Sequence, residues 1–307
     1  MIRKLALLLA SLFFIATLTF FLMHAIPGDP FAQEQAIPQE ILAALQRHYG
    51  LDKPLFMQYL NYLQGLFCFD LGPSFKFEGR SVNAIIADGF PISALLGAEA
   101  LGLALGGGIL LGSVAALFHR RWPDACAMGW AVLCLSTPSF VIATVLQYFL
   151  AMRLDLFPIA RWGSFEHTVL PALALSATPM AFIARLTRTS MLDVLSQGFI
   201  QTARAKGLSM RRILIHHVLR NAILPVVTYL GPLSASILTG SFAIEKIFGI
   251  PGLGQWFVSS ITNRDYTVIM GTTLFYSAIL LGGSFFVDLL YPLVDPRLRL
   301  KTKFYDT

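Results

Sequence analysis

The sequence predicts an all-α membrane protein with six transmembrane helices and both termini in the cytosol. Three observations carry this. Of 307 residues, 56% are hydrophobic and only 13% are charged, and the mean hydropathy is +0.67, values far from those of an ordinary soluble domain. The apolar residues fall in runs long enough, at roughly 1.5 Å per helical residue, to cross a hydrocarbon core of about 30 Å. On the topology these runs imply, 15 Lys and Arg lie inside and 8 outside, the asymmetry that sets orientation. The net charge of +6 therefore reflects topology and excludes a nucleic-acid surface, because the basic residues sit in short loops and not on one solvated face.

In chain order, Arg3 and Lys4 precede an apolar run from Leu5 to about Ile26, giving a first span within residues 1–27. A cleaved signal peptide would have a shorter apolar region ending in small residues, whereas His24-Ala25-Ile26-Pro27-Gly28-Asp29-Pro30 follows here. Residues 28–90 change character: Glu34, Glu40, Asp52, Asp70, Glu78 and Asp88 outnumber Arg47, Lys53, Lys76 and Arg80, as expected of an extracytoplasmic loop. Ile41–Tyr49 and Leu55–Phe67 have helical apolar spacing, Gly50 and Pro54 break them, and Leu71–Phe75 marks a turn, so this loop is expected to fold into an outer cap.

The second span is expected at about Ile92–Phe118, with small residues Ala98, Gly102, Gly106, Gly108 and Gly112 that permit close backbone approach. His119-Arg120-Arg121 forms an inside loop, and Asp124 is placed to cap a third span, about Ala125–Met152, with Pro138 near its middle. The fourth span, His167–Ala184, contains Pro171, Ser176, Thr178 and Pro179, suited to packing kinks or to pathway lining. The fifth, about Ala222–Ala243, carries Gly231, Ser234, Ser236, Thr239, Gly240 and Ser241, equally consistent with close packing or a polar route. The sixth, about Val268–Leu290, leads to a basic cytoplasmic tail over residues 294–307 with Arg297, Arg299, Lys301 and Lys303. Glu99 and Asp288 are the acids within spans; each is read as lying near a span end, solvated or paired, with a functional role as the alternative.

Within the five-span region, residues 91–293, the stretch Phe199–Pro225 stands apart. It carries Arg204, Lys206, Arg211, Arg212 and Arg220 with no acid, which places it in the cytosol. Good helix formers on either side of Gly207 predict two short helices meeting at a glycine, a rigid knuckle inside a cytosolic loop 189–221.

Ala203-x-x-x-Gly207, followed by a helix and Ile223-Leu224-Pro225, resembles the EAA loop of ATP-binding-cassette importer permeases. The wider wording resembles the peptide and nickel branch of that family, and within it most of all the first permease subunit of oligopeptide systems. The sequence departs from the general motif at Gln201 and Thr202, where glutamate and alanine are usual, and Pro225 lies farther from Gly207. Ile26–Phe31, Leu51–Leu55 and Asp70–Phe75 resemble the same branch, as does the block Glu245–Gly254 followed by Asn263-Arg264-Asp265-Tyr266.

The resemblance implies a type-I importer permease fold in a bacterial cytoplasmic (inner) membrane, half a translocation pathway for oligopeptides, and no cofactor. It implies as partners a second homologous permease subunit, two ATPase subunits and an extracytoplasmic peptide-binding protein, besides the lipid bilayer. It also implies ATPase docking through Thr202, Ala203, Gly207 and Leu208, with Arg204, Lys206, Arg211 and Arg212 around them. Outer-face or gate roles go to Glu245, Phe248, Pro251, Gly252, Gly254, Arg264 and Asp265. The same machine for dipeptides or nickel is the near alternative.

From the residues alone, no G-x-x-x-x-G-K-[ST] loop is present, so ATP hydrolysis by that route is not expected of this chain. Cys68, Cys126 and Cys134 form no CxxC pair, and the adjacent His216 and His217 point apart on a helix, so no metal set is expected. A self-sufficient channel or ion-driven carrier would need interrupted repeat spans or a buried ion-binding acid, and neither pattern is evident.

Overall fold

The computed structural model describes residues 2–26, 31, 39–238 and 241–294, with the side chains at 2, 235 and 287–294 left aside. The expectations on Pro27–Pro30, Glu34, Thr239, Gly240, the Asp288 side chain and the basic tail lie outside the described residues.

The elements are α-helical: α1 (Ile2–Ala25), α2 (Gln39–His48), α3 (Leu55–Phe67), α4 (Val82–Leu117), α5 (Trp122–Ser136), α6 (Ser139–Leu146), α7 (Glu166–Leu195), α8 (Gly198–Ala205), α9 (Met210–Ile213), α10 (Arg220–Ala222), α11 (Leu224–Leu238), α12 (Phe242–Phe248), α13 (Leu253–Asn263) and α14 (Tyr266–Val294). Wider π-type turns continue α6 through Arg153 and join α9 to α10 through Leu214–Leu219. Four helices are long and apolar enough to cross a membrane, and six spans result if each of two bent pairs counts as one.

The chain divides into two compact units, Met1–Ser93 with Pro251–Leu281, and Ala94–Ile250 with Gly282–Thr307. In the first, α3 lies along α1: the Thr17 and Tyr59 hydroxyls are 2.8 Å apart, His24 Nε2 is 3.1 Å from Gln58 Oε1, and the Phe20 ring meets those of Tyr59 and Tyr62. Its core is Val82, Ile85, Ile86, Leu253 and Val268.

In the second unit, α4 packs against α7 backbone to backbone. A Cβ at Gly108 would sit 2.7 Å from Ile183, and one at Gly112 would lie against the Ala184 carbonyl and 2.7 Å from Thr187 Cβ. Gly102 and Gly106, by contrast, have nothing within 4 Å of such a Cβ. The small residues of α4 therefore serve different faces, and the glycines packed against α7 are Gly107, Gly108 and Gly112. Facing them, α7 presents Met180, Ile183, Ala184 and Thr187.

Several expected spans are redrawn. The second helix begins at Val82, not Ile92, because Pro91 is tolerated inside it. Glu99 thereby falls at the midpoint of a 36-residue helix, not near its end, and it has no ion-pair partner among the described residues. The third span is not continuous: α5 stops at Ser136, and α6 leaves at 110°. Pro138 lacks an N–H and drives the preceding Thr137 into extended backbone, φ −101° and ψ 127°, so the proline opens a new helix instead of kinking one. The fourth helix runs on to Leu195, carrying Arg185 and Arg188 inside it. The fifth is bent by 46° where α10 meets α11 and ends at Leu238. Asp124 does not occupy the cap position of α5, which is Arg121; it sits one turn in and accepts the Arg120 N–H at 3.0 Å.

Gly112→Leu is expected to separate α4 from α7, at a cost of at least about 1–3 kcal/mol from overpacking, and to lower the thermal midpoint of the detergent-solubilised protein. The chemically identical Gly102→Leu is expected to leave the midpoint within about 1 °C, because an open surface site changes stability by no more than about 0.5 kcal/mol.

Candidate coupling site

Helix α8 ends at Ala205, and its closing turn is built entirely from backbone. The Gly207 N–H donates to the Arg204 carbonyl at 2.9 Å, and the Leu208 N–H donates to the Ala203 carbonyl at 3.2 Å. That pair of bonds is the Schellman arrangement, which needs a left-handed residue at its bend. Gly207 supplies it at φ +76°. The apolar contact that accompanies such a cap is present, since Ala203 is buried with Ile200, Met191, Val194, Ile213 and Val218, and Leu208 packs on the same cluster. The Ala203-x-x-x-Gly207-Leu208 spacing is thus explained: a small buried residue at one end of the bond, a glycine at the bend, an apolar residue closing it.

Thr202, Arg204, Lys206, Arg211 and Arg212 are exposed on this turn and its flanks. Nothing lies within 4 Å of where a Gly207 Cβ would be. The bend is therefore a firm projection with four cations around it and free space over its glycine. As expected, two short helices meet there, though residues 189–195 of the expected loop belong to α7.

A second feature lies on α7, two turns before its end, and sequence reasoning missed it. Arg188 Nε donates to Asp124 Oδ1 at 2.6 Å and Arg188 Nη2 to Oδ2 at 2.8 Å. His119 Nδ1 stands 3.1 Å from Arg188 Nη2 and 3.3 Å from Asp124 Oδ2. The Asp124 side chain is only 7% exposed. A forked guanidinium–carboxylate pair of this kind is directional and strong when shielded from water. It joins the start of α5 to the helix that leads into the knuckle. The signal in the sequence was one acid among the inside cations, which pattern reading assigned to a cap.

The residues expected at the outer face split between the two units. In one, α12 is closed at Gly249, φ +61°, by the Ile250 N–H donating to the Glu245 carbonyl at 2.8 Å. Glu245 and Phe248 are fully buried, and the Phe248 carbonyl accepts the Arg161 N–H at 2.7 Å. In the other unit, Pro251 is exposed, while Gly252 and Gly254 are buried at the start of α13. The Leu253 N–H donates to Ser93 Oγ at 2.9 Å. Arg264 takes the left-handed conformation that ends α13, φ +56°.

That turn delivers Asp265, which is completely buried. Its carboxylate accepts from the Val268 N–H at 3.3 Å, as an N-cap of α14 should, and from the Thr267 hydroxyl at 3.0 Å. It also accepts from the Ser74 hydroxyl and from the Phe75 and Lys76 N–H groups, the latter two at 3.2 and 3.4 Å. Asp265 is thus an anchor for the 74–76 turn. Nearby, burial pushes the Tyr49 phenol up from its usual value, and the Glu78 and Asp265 carboxylates add to the shift. Among the described residues, no group of His, Cys, Asp and Glu could hold a metal ion.

Four long apolar helices and two bent helix pairs, with a basic, backbone-capped projection after α8, define a multi-pass membrane protein. Residues 108–300 match the family of binding-protein-dependent transport system inner membrane components, and residues 1–97 match the N-terminal region described for such membrane components. The chain belongs to this family, a permease component of the inner membrane.

Curated relatives agree over nearly full length. The dipeptide transport system permease protein DppB of Bacillus subtilis is 51% identical over 99% of this chain and 98% of its own. The oligopeptide transport system permease protein OppB of Salmonella typhimurium is 44% identical over 94% of this chain and 95% of its own. Among solved structures, the inward-facing MetNI methionine ABC transporter is similar with a TM-score of 0.58 at 14% identity, covering 69% of this chain and 96% of that one. An amino acid ABC transporter is similar at 0.55 and 17%, covering 68% and 94%. The fold is that of type-I importer permeases.

Arg188→Met leaves the buried Asp124 carboxylate with only the Arg120 N–H and His119 beside it, and should cost up to about 3–5 kcal/mol, read as a lower thermal midpoint and less protein in the membrane. The double change Asp124→Leu with Arg188→Met removes both charges and should recover most of that loss. Asp265→Ala should leave the Ser74 and Phe75 donors unsatisfied, with the Lys76 N–H kept by Ser74 Oγ at 3.2 Å, at about 1–3 kcal/mol for each group that stays dry. It is expected to open residues 74–80 to an externally added protease before any other segment.

Proposed function

We propose that this permease forms half of the membrane pathway of an ATP-driven peptide importer, and that the Ala203–Leu208 knuckle is where work done by a separate ATPase enters it. The single observation that carries the coupling role is the backbone-closed bend at Gly207, unobstructed and ringed by Arg204, Lys206, Arg211 and Arg212. A projection whose shape is held by its own hydrogen bonds transmits displacement; a slack loop would absorb it. Moved as a body, it would carry α7 on one side and α10–α11 on the other, a shared element with two positions.

The proposed assembly contains a second homologous permease subunit, two ATPase subunits and an extracytoplasmic peptide-binding protein. The pathway runs along the third to fifth spans, facing the second permease subunit. Exposed Pro251 is proposed as an outer-face contact, and buried Phe248 as part of the outer gate. Peptide as cargo is supported by the near-full-length likeness to peptide permeases. We favour oligopeptides on the motif wording of the outer loop and of Glu245–Asp265. Dipeptides are a second reading, supported by the 51% identity to a dipeptide permease.

Reconstitution with its ATPases and binding protein, comparing ATP hydrolysis stimulated by di-, tri- and longer peptides and by nickel chelates, decides the cargo. Longer peptides are expected to stimulate most, and stimulation confined to nickel chelates would overturn the peptide reading. For coupling, Gly207→Leu should assemble in the membrane, with a conformational cost of about 1 kcal/mol at the left-handed position, and lose ligand-stimulated hydrolysis. Gly207→Asn, which tolerates that conformation, should retain a substantial part. Full transport by Gly207→Leu would refute the docking assignment.

A further inference from the structure

Leu55 to Phe69 contains no charged residue, and the helix it forms is 13 residues long, a length suited to a partly inserted segment. Its partners give its direction. Gln58 meets His24 near the outer end of α1, Tyr59 meets Thr17 and Phe20, and Leu63, Leu66 and Phe67 share a groove wall with Leu9, Leu12 and Phe13. Helix α3 thus runs antiparallel to α1, and α1 enters the membrane from the cytosol behind Arg3 and Lys4. From Gln58 to Phe67, α3 descends about 14 Å along that span, close to the middle of a hydrocarbon layer about 30 Å thick.

The end of α3 is a second, independent sign. Its closing turn is again of the Schellman type: the Phe69 N–H donates to the Leu66 carbonyl at 3.1 Å and the Asp70 N–H to the Gly65 carbonyl at 2.9 Å. The left-handed position, where glycine would be least strained, is held by Phe69 at φ +57°. Phe69 is 87% exposed as a residue, and the neighbouring Phe67 is 82% exposed. An aromatic residue in a strained conformation with its ring free of protein suits hydrocarbon surroundings and gains nothing from water. The chain then returns to polar surroundings, with Asp70 lining a cavity of about 300 Å³ together with His24, Tyr49, Gln58 and Thr267.

On the other side of α3 lies a groove of about 630 Å³, walled by α1, α3, the first turns of α4 and the middle of α14. Its one amide, Asn83, is already engaged: Nδ2 donates to the Phe69 carbonyl at 2.7 Å, and Oδ1 accepts the Leu71 N–H at 2.9 Å. No polar group in the groove calls for a partner, and it is continuous with the exposed apolar surface of α1 at Leu9 and Phe13.

We propose that α3 and its closing turn lie in the outer leaflet, and that the groove beside them binds the acyl chain of a membrane phospholipid. A span of a second permease subunit is the competing occupant. The lining disfavours it, because helix pairs in membranes associate through small-residue faces and shared hydrogen bonds, whereas here three alanines are dispersed over α1, α4 and α14 among mostly Leu and Phe side chains and the amide is already satisfied.

The test uses the assembled transporter in vesicles of defined phospholipid. With Cys126→Ala and Cys134→Ala, Cys68 remains as a reporter at the bottom of α3. A membrane-impermeant maleimide added outside should label it at least tenfold more slowly than a cysteine placed by Asp52→Cys in a Cys68→Ala version. A phospholipid with a diazirine in its acyl chain should cross-link to residues 63–69. Ala87→Trp, which fills the groove, should cut that yield at least fivefold while leaving labelling around Leu110 unchanged. Ala278→Phe, on the opposite wall, serves the same purpose where Ala87→Trp does not assemble. Labelling of Cys68 as fast as the Asp52→Cys site would overturn the inserted helix. Diazirine labelling indifferent to both groove-filling variants, or a bifunctional reagent joining Cys68 to the second permease subunit, would overturn the lipid site.

Discussion

A helix that stops must satisfy its last carbonyls, and in or beside a bilayer water is scarce for the purpose. This chain meets that constraint with its own backbone at five places among the described residues, the first being Gly50 after α2. Helices α3, α8, α12 and α13 each close through the same pair of bonds around a left-handed residue, at Phe69, Gly207, Gly249 and Arg264. Each of these four closures holds the next segment in a set direction without help from side-chain caps, and each lies at a position with a candidate role. The Gly207 knuckle, the segment after α12, the entry of Asp265 into the start of α14, and the return of the chain from α3 all depend on it.

The occupant of the left-handed position varies with surroundings. Glycine stands at the bend after α8, where nothing lies within 4 Å of a Gly207 Cβ, as the proposed docking requires. Arg264 stands where the following residue must reach several backbone donors as a buried carboxylate. Phenylalanine stands where the ring is bare of protein. One backbone solution therefore serves three environments, distinguished by the side chain displayed at the bend.

Between these ends, the second unit is held by close helix approach and one shielded ion pair. The glycines at 107, 108 and 112 let α4 meet α7 at backbone distance, and the fork of Arg188 on Asp124 ties α5 to α7 before it reaches the knuckle. Stiffness along α7 matters for the proposed coupling, because displacement at Ala203–Leu208 reaches the spans only through a helix that does not bend. Pro171 and Pro179 leave α7 a single 30-residue helix, consistent with their role in packing.

Much was legible without coordinates. Apolar runs are one-dimensional signals, so the membrane class and the helical character of the chain could be read from residue order. Helix propensity and a single glycine sufficed for the knuckle, because a Schellman cap involves only neighbouring residues. What depended on tertiary structure was everything set by residues far apart in the chain. The pairing of Asp124 with Arg188, the choice of Gly108 and Gly112 over Gly102 and Gly106 as packing sites, and the gathering of Ser74–Lys76 onto Asp265 could not be read from local pattern. Pro138 as a sharp corner and α3 as a helix lying along α1 belong to the same group. Local sequence states what a segment can be; which face it buries, and against which partner, is decided only when all segments compete for the same space.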